Sequence, residues 1–495
     1  MSNVISQLRN TTETSKLYKL RMFLASDIFC ALIVAYAFVI ICFNWIIPGA
    51  FLLAVITGFV FILSDDIVSV FLPIMLIASF GIQANDSLWD YMALAPVAAF
   101  PIFAILFHHI FYRERDKSKV KRPGALLLPM ILVSITNFLG GIGTIPVKSY
   151  FSPTSLIYMF ALGFMIVIVY FLNYNHLGAG KNYTTRIDKR IAKIACWLML
   201  FLILATLEGY VERWAKFIED PGILYFQWRN NASTLIMMAI PFAFYMSARR
   251  FWYILLPFLS YGAMIMLGSR GGLILGGFEL LILIIVDLVL DKRHRKYIGA
   301  ILAVIFLSFL FMFPQIEQLM EYTLNRMTAA DQYSIRLGLW RRSVEDFHRN
   351  PIFGMGLGYM GNRDIHPSKA ASLCWYHSSL PQVWGSFGLV GLLTYGYQML
   401  VRWKFLMSKH SMFAFTVTAS FLALELMSLV NPGIFAMFYL LIISMEFFII
   451  EKYHFPEIHM KLELELGAGT QFTFSEDDFS EDENITVKEN TPTEA

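Results

Sequence analysis

Long apolar segments follow one another along most of this 495-residue chain. A bilayer core about 30 Å thick requires about 20 apolar residues in a helix, because each residue rises about 1.5 Å. By that measure the sequence predicts about 12–14 membrane-spanning helices. The fourteen candidate segments lie near residues 26–44, 46–64, 67–83, 91–112, 124–144, 153–173, 192–210, 232–248, 251–268, 271–290, 297–313, 379–401, 411–429 and 432–450.

The composition agrees with this pattern. Hydrophobic residues make up 57% of the chain and charged residues 15%, whereas soluble domains carry about 45–50% and about 25%. So large an apolar excess cannot be hidden inside a globule whose surface must be wet. The sequence therefore predicts an all-α, polytopic transmembrane helix bundle and excludes a soluble enzyme, a coiled coil and a disordered scaffold.

The sequence carries no signature of a bound cofactor, metal or nucleic acid. Its four cysteines fit neither a disulfide framework nor a CxxC metal site. It contains no HExxH or Walker motif. We therefore expect no metal, no cofactor and no nucleic-acid partner.

Lysine and arginine collect at the N-terminus and in short loops that all follow even-numbered predicted spans. Cytoplasmic loops carry such an excess, so the bias orients the bundle. It predicts that both termini face the cytoplasm and that two long loops, near 211–231 and 314–378, face outward. The basic loops lie at residues 9–21, 113–122, 181–193, 249–250, 291–296 and 402–409.

These patterns divide the chain into five parts. A cytoplasmic N-terminus (1–25) is followed by about eleven spans (26–313), an outer loop (314–378) and about three C-terminal spans (379–450). The acidic tail (451–495) is predicted to be disordered and cytoplasmic, because many charges and few aromatic residues disfavour a packed core. Loops as long as 314–378 are usually functional, so we expect the chemistry there.

One arginine of the outer loop, Arg336, has no acidic residue within a helical turn. Residues 334–349 predict an amphipathic helix, whose apolar face holds Arg336, Trp340, Val344 and Phe347. The neighbouring arginines have acids four residues on, and we expect those pairs on solvated flanks: Arg341 with Glu345 and Arg342 with Asp346. A buried guanidinium needs an anion, and its fork of donors matches phosphate. Arg336 therefore predicts either phosphate binding or a salt bridge to a distant carboxylate.

A glycine-rich segment and a histidine follow this predicted helix. In NPIFGMGLG (350–358) the glycines permit positive φ or close approach to a ligand, although most such segments are ordinary turns. His377 comes directly before the predicted span at 379–401, at the height where a base would meet a lipid-held substrate. A structural or exposed histidine is the ordinary alternative.

Two further arginines are predicted at the outer surface. Arg270 lies between the ninth and tenth predicted spans, and Arg229 lies at the outer end of the eighth. An ionisable residue at membrane depth is a functional candidate, although Arg270 could also snorkel to the interface. Three outward arginines and a histidine near one membrane plane would suit a lipid-linked diphosphate.

Three segments together resemble the O-antigen ligase/polymerase family. They are SRGG (269–272), SIRLGLWRRSVEDFHRNPIFGMGLG (334–358) and HSSLPQVWGSFGLVGLL (377–393), and the resemblance is most specific over about 334–390. It implies a GT-C-like helical membrane fold. It also implies transfer of a glycan from an undecaprenyl diphosphate carrier to a glycan or lipid acceptor, outside the bacterial cytoplasmic membrane and without a metal or a nucleotide sugar.

The resemblance also implies roles for individual residues. The family's arginine falls on Arg336, its histidine on His377 and its outward Ser-Arg pair on Ser269 and Arg270. Arg270, Arg336 and Arg229 would then bind the diphosphate, with Arg336 and His377 catalytic and His377 taking the proton of the acceptor hydroxyl. The residue after the histidine is commonly Asn in the family and is Ser378 here, so no amide can act at that position.

Two other classes of protein stay open at this point. A lipid-linked oligosaccharide flippase or another multi-span transporter could use the carboxylates in apolar runs, which are Glu279, Asp287 and Glu425. A non-catalytic partner in an envelope assembly is the second alternative. Within the resembling family we favour a polysaccharide polymerase slightly over a ligase, and we expect a flippase and a chain-length regulator as its partners.

Overall fold

The computed structural model describes ten stretches of the chain and four single residues. They are 15–83, 95–112, 124–142, 159–165, 187–212, 229–290, 294–311, 330–357, 375–431 and 433–453, with 167, 313, 317 and 321. Helices make up the regular structure of these residues, and no strand occurs among them. The predicted all-α fold is thereby confirmed for this part of the chain. The acidic tail after 453 and most of the loop near 211–231 lie outside the described residues.

The helices follow the predicted apolar segments. The first eight are α1 (Lys16–Leu24), α2 (Asp27–Cys42), α3 (Ile46–Leu63), α4 (Phe71–Gln83), α5 (Ala95–Phe111), α6 (Leu127–Ile142), α7 (Ile187–Glu212) and α8 (Arg229–Ser247). The others are α9 (Leu255–Leu267), α10 (Arg270–Leu290), α11 (Arg295–Phe311), α12 (Ala330–Arg349), α13 (Ser379–Met407), α14 (Met412–Ser428) and α15 (Met437–Lys452). A short π-helix covers Ala161–Met165.

Several helices have the length and composition of membrane spans. Among the described residues, α3, α7 and α10 are long and apolar enough to cross a bilayer, and α1 with α2, bent by 59°, would form a fourth span. Shorter apolar helices include α6, α9 and α14. The chain is therefore a helical membrane protein. The count of 12–14 spans, the five-part division and the GT-C-like arrangement stay predictions.

Helix α8 lies at the centre of the bundle. Every residue from Ala232 to Phe244 is buried, and α7, α9, α10 and α14 pack around it. A helix that is apolar on all sides needs neighbours on all sides. The burial of α8 fixes the position of its N-terminus, where Arg229 lies.

Ion pairs connect the ends of helices that the charge bias assigns to the cytoplasm. They are Arg21–Asp65 (3.2 Å), Arg190–Asp66 and Arg249–Asp188 (3.7 Å). The members come from the N-terminal region and from the loops after the second, sixth and eighth predicted spans. These loops therefore meet at one end of the bundle, as the bias requires. Which side of the membrane this end faces stays a prediction.

Helix α13 is broken at Gly388, whose φ of 61° and ψ of −149° are not helical. The segment 351–356 fills the break with four main-chain hydrogen bonds. The donors and acceptors are Met355 N to Gly385 O (2.9 Å), Gly356 N to Ser386 O (2.8 Å), Leu389 N to Pro351 O (2.8 Å) and Val390 N to Ile352 O (3.1 Å). Irregular backbone inside a membrane protein requires such internal partners, because lipid supplies none.

Glycines allow the two backbones to approach this closely. A Cβ atom on Gly354 would lie 2.4 Å from Phe387 N, and one on Gly388 would lie 2.6 Å from Ile352 O. Both glycines also have positive φ, which costs other residues energy. Within the described residues, the glycine-rich segment thus serves contact between two parts of the chain.

Candidate functional site

The N-termini of α8 and α10 meet at one end of the bundle. Ser269 Oγ donates a hydrogen bond to Asn230 Oδ1 (2.9 Å) and accepts one from Gly272 N (3.3 Å). A Cβ atom on Gly272 would lie 2.6 Å from Ser233 Cβ, so only glycine permits this approach of the two helices. The first residues of these helices, Arg229 and Arg270, therefore lie at the same end of the bundle.

Both arginines lie at helix N-termini. A helix N-terminus carries a partial positive charge of about half a unit, which repels a cation and attracts an anion. Arg229 and Arg270 are the first residues of their helices and are only partly exposed. Two helix N-termini and two guanidinium groups thus lie at the same end of the bundle. Backbone N–H groups at such ends are ready donors for an anion such as phosphate.

Arg336 of α12 adds to this positive region. Burial, and after it the positive charge of Arg270, lower the pKa of the Arg336 guanidinium below its usual value. The two guanidinium groups therefore lie within electrostatic reach of each other. Within the described residues, no carboxylate forms an ion pair with Arg336, so the distant salt bridge considered above has no partner there. An anion bound between the two groups would raise the pKa again and relieve their repulsion.

The packed face of α12 is not the one that the sequence predicts. Trp340 and Val344 are 44% and 43% exposed, so the predicted apolar face is largely uncovered. The buried residues of the helix are Leu339, Ser343 and Asp346. The expectation that Asp346 lies on a solvated flank is therefore wrong. The reason is that short polar side chains here bond to residues of α13 and of the segment before it.

Hydrogen bonds to α12 and α13 hold the segment that carries His377. Tyr376 Oη donates to Asp346 Oδ2 (2.7 Å), and Tyr376 N donates to Gln382 Oε1 (3.0 Å). Two residues further along α13, Trp384 Nε1 donates to Ser343 Oγ (2.8 Å). Tyr376 is almost fully buried. These contacts attach Tyr376, the residue directly before His377, to both α12 and α13.

His377 itself has a strained backbone. Its φ of 53° lies in the left-handed region, which costs a residue other than glycine about 1–3 kcal/mol and persists only where the surroundings impose it. The side chain is partly exposed between two buried neighbours, Tyr376 and Ser378. The tyrosine contacts described above supply that constraint. The backbone that carries the His377 imidazole is therefore held directly before α13.

Helix α12 connects the predicted site residues. Arg336, near its beginning, is within reach of Arg270, while Asp346, near its end, anchors the residue before His377. The two positions are about 15 Å apart along the helix axis. The structure thus places Arg270 and Arg336 within electrostatic reach of each other. Neighbouring residues connect Arg229 to Arg270 and His377 to α12. The anchoring contacts of Tyr376 were not predicted, because Asp346 and Tyr376 are far apart in sequence.

The carboxylates that a transporter could use have different surroundings from one another. Asp287 accepts a hydrogen bond from His294 Nδ1 (2.8 Å). Both carboxylate oxygens of Glu279 are buried without a hydrogen-bond partner, and Glu425 lines a cavity beside α13. In the parts of the chain described here, no three His, Cys, Asp or Glu side chains are grouped as a metal site.

Comparison with known proteins identifies the region that contains these residues. Residues 255–396 match the family model described as O-antigen ligase. The match covers Arg270, Arg336 and His377, together with both halves of the contact between 351–356 and the break in α13. No curated protein and no solved structure matches the chain. The predicted resemblance to the O-antigen ligase/polymerase family is thereby confirmed.

Proposed function

Because residues 255–396 match the O-antigen ligase family model, we propose that this chain transfers a glycan from undecaprenyl diphosphate to an acceptor. The transfer takes place at the outer face of the bacterial cytoplasmic membrane, and both termini of this multi-pass protein face the cytoplasm. The acceptor is a second lipid-linked glycan if the protein is a polymerase, which we favour, or another lipid if it is a ligase. A flippase and a chain-length regulator are its expected partners.

The electrostatic interaction between Arg270 and Arg336 is the observation that carries this proposal. Each guanidinium disfavours the charge of the other, an effect that a bound anion offsets, and the N-terminal ends of α8 and α10 favour an anion as well. A diphosphate brings negative charge on two adjacent groups, which matches such a cluster. The charge grows when the glycan leaves, so the same arginines stabilise the transition state more than the bound substrate.

The proposed reaction is a direct displacement. An acceptor hydroxyl attacks the anomeric carbon of the donor sugar, a new C–O bond forms, and the bond from that carbon to the diphosphate oxygen breaks. The diphosphate keeps the electron pair and remains on the carrier, held by Arg270, Arg336 and Arg229. His377 accepts the proton of the attacking hydroxyl, since imidazole can do this near neutral pH. No step requires a metal.

A reconstituted transfer assay tests the proposal. The purified chain in nanodiscs receives undecaprenyl-diphosphate-linked repeat units, with and without a chelator. A polymerase yields a ladder of lipid-linked products, and a ligase yields a single addition to a separate lipid acceptor. Transport of the intact lipid-linked glycan across proteoliposomes without any new glycosidic bond would instead establish the flippase alternative.

A labelling experiment tests the sidedness. Arg341 is exposed on α12 and Lys404 is exposed on α13. In a background without native cysteines, Arg341→Cys should react with an impermeant maleimide on intact cells, and Lys404→Cys should react only after lysis. The reverse pattern would place the candidate site in the cytoplasm and exclude the proposed donor geometry.

Tyr376→Phe tests whether its hydroxyl positions His377. The change leaves the buried Asp346 carboxylate without one donor, which should lower the free energy of unfolding by about 1–3 kcal/mol. We expect kcat to fall about 10- to 100-fold, because small misplacements of a catalytic group are costly, with little change in KM. Tyr397→Phe is the matched control, since Tyr397 is an exposed tyrosine on α13. Equal kcat values for the two variants would contradict the positioning role.

A further inference from the structure

A cavity of about 300 Å³ lies between the two halves of α13 and the helices α6 and α14. Most of its wall is aliphatic, and three of its lining residues, Leu380, Met399 and Leu429, are about half exposed on the outside of the bundle. Protein pockets of this size and lining bind small molecules or single chains of larger ones. Because the cavity opens on the apolar outer surface, a membrane lipid can enter it from the side.

Three polar side chains at the cavity wall have no hydrogen-bond partner within the described residues. Gln398 and Arg402 lie one turn apart on α13 and are only 8% and 7% exposed. Glu425 of α14 lines the same cavity. An unpaired polar or charged side chain in a bilayer destabilises the protein, because it has given up its hydrogen bonds to water. Their polar groups therefore point to a ligand.

The charges of Arg402 and Glu425 favour one class of ligand. Arg402 is held by the rings of Phe421 and Phe447, each with its centroid 5.8 Å from the guanidinium carbon. Glu425 is close enough to interact electrostatically with Arg402, but the two form no ion pair. A single cation and a single anion, both facing the same space, complement a zwitterion better than a net anion. The phosphate and the ammonium of an aminophospholipid have this charge pattern.

We propose that the cavity binds one phosphatidylethanolamine molecule. Its phosphate accepts hydrogen bonds from Arg402 and Gln398, and its ammonium donates to Glu425. An acyl chain then follows the aliphatic wall between the two halves of α13 toward Ser379, two residues from His377. Basic pockets between helices at the cytoplasmic side commonly hold lipid headgroups. Arg402 belongs to the end of α13 that the charge bias places there.

This lipid site is separate from the arginine cluster and does not rest on the proposed reaction. The cavity lies on the side of α6, α13 and α14, whereas Arg229 and Arg270 begin α8 and α10. A chain in the cavity would contact residues of α13 on both sides of its break. The lipid thus stabilises the part of α13 that carries His377 at its start.

Lipid binding by the full-length chain tests the proposal. The detergent-purified protein is titrated with phosphatidylethanolamine, phosphatidylglycerol and phosphatidylcholine of identical acyl chains, and with undecaprenyl phosphate, and bound lipid is measured by native mass spectrometry. We expect one phosphatidylethanolamine bound at least about tenfold more tightly than the others. Phosphatidylglycerol lacks the ammonium, and the quaternary ammonium of phosphatidylcholine has no N–H to donate to Glu425.

Variants test separately the charged side chains of the cavity and its empty volume. Arg402→Gln should weaken phosphatidylethanolamine binding at least about tenfold, and Glu425→Gln should remove the preference over phosphatidylglycerol. Gly396 lines the cavity with no atom within 4 Å of an added Cβ, so Gly396→Leu adds side-chain volume at the cavity wall and should also abolish binding. Lys404→Gln, on the same helix but outside the cavity wall, should bind like the wild type.

Several results would overturn the lipid assignment. They are unchanged binding in both Arg402→Gln and Gly396→Leu, equal affinity for the three phospholipids, preferential binding of undecaprenyl phosphate, or no lipid bound at all. Because the readout is binding and not transfer, these results are independent of the reaction. If the wild-type chain bound phosphatidylethanolamine but transferred no glycan, only the proposed function would be contradicted.

Discussion

His377→Asn should lower the rate of glycan transfer by about 10²–10⁴-fold, because a positioned general base contributes about that much. Asparagine is the appropriate replacement, since it tolerates the left-handed backbone that His377 adopts, with φ of 53°. The loss can then be assigned to the imidazole and not to a rearranged backbone. The measurement is single-turnover transfer by the purified protein in nanodiscs at saturating donor.

His348→Asn provides the matched control for this prediction. His348 lies on α12, is exposed, and uses Nδ1 only for a local contact with Val344 O (2.7 Å). Its replacement should leave the rate within about twofold of the wild type, since surface substitutions away from the reaction have small effects. A wild-type rate in His377→Asn would refute the assignment of the base.

Arg270→Ala and Arg336→Ala should each lower kcat about 10²–10³-fold, the usual effect of removing one group that stabilises developing negative charge. Because both arginines act on the same diphosphate, the double variant should lose less than the product of the single effects. Lysine at either position should recover only part of the rate, since it cannot donate two parallel hydrogen bonds.

Arg341→Ala is the control for the arginine variants. Arg341 lies on the same helix as Arg336 but is exposed, so its loss should change neither kcat nor KM appreciably. If Arg270→Ala and Arg336→Ala were fully additive, the two residues would not share a ligand. If neither changed kcat, the positive cluster would have no role in the reaction.

The sequence predicts the helices well because apolar length is a local property. The ends of α2, α3 and α10 fall within a few residues of the predicted segments 26–44, 46–64 and 271–290. The break in α13 was not predicted, since residues 379–401 form one continuous apolar segment. Gly388 becomes non-helical only because segment 351–356 supplies the backbone partners that the break requires.

The candidate site was predicted in part for a similar reason. Arg336 stood out because no acid lies within a turn of it, and that signal is local. Which face of α12 packs depends on partners that are distant in sequence, such as Trp384 for Ser343 and Tyr376 for Asp346. The periodicity of apolar residues alone cannot show that Ser343 and Asp346, and not Trp340, contact α13 and the segment before it.

The stretch 358–374, which lies outside the described residues, begins and ends against the same short part of one helix. Gly356 N before it and Tyr376 N after it both bond to the first half of α13, at Ser386 and Gln382. Because these acceptors are about one helical turn apart, the chain enters and leaves the stretch at neighbouring points of α13.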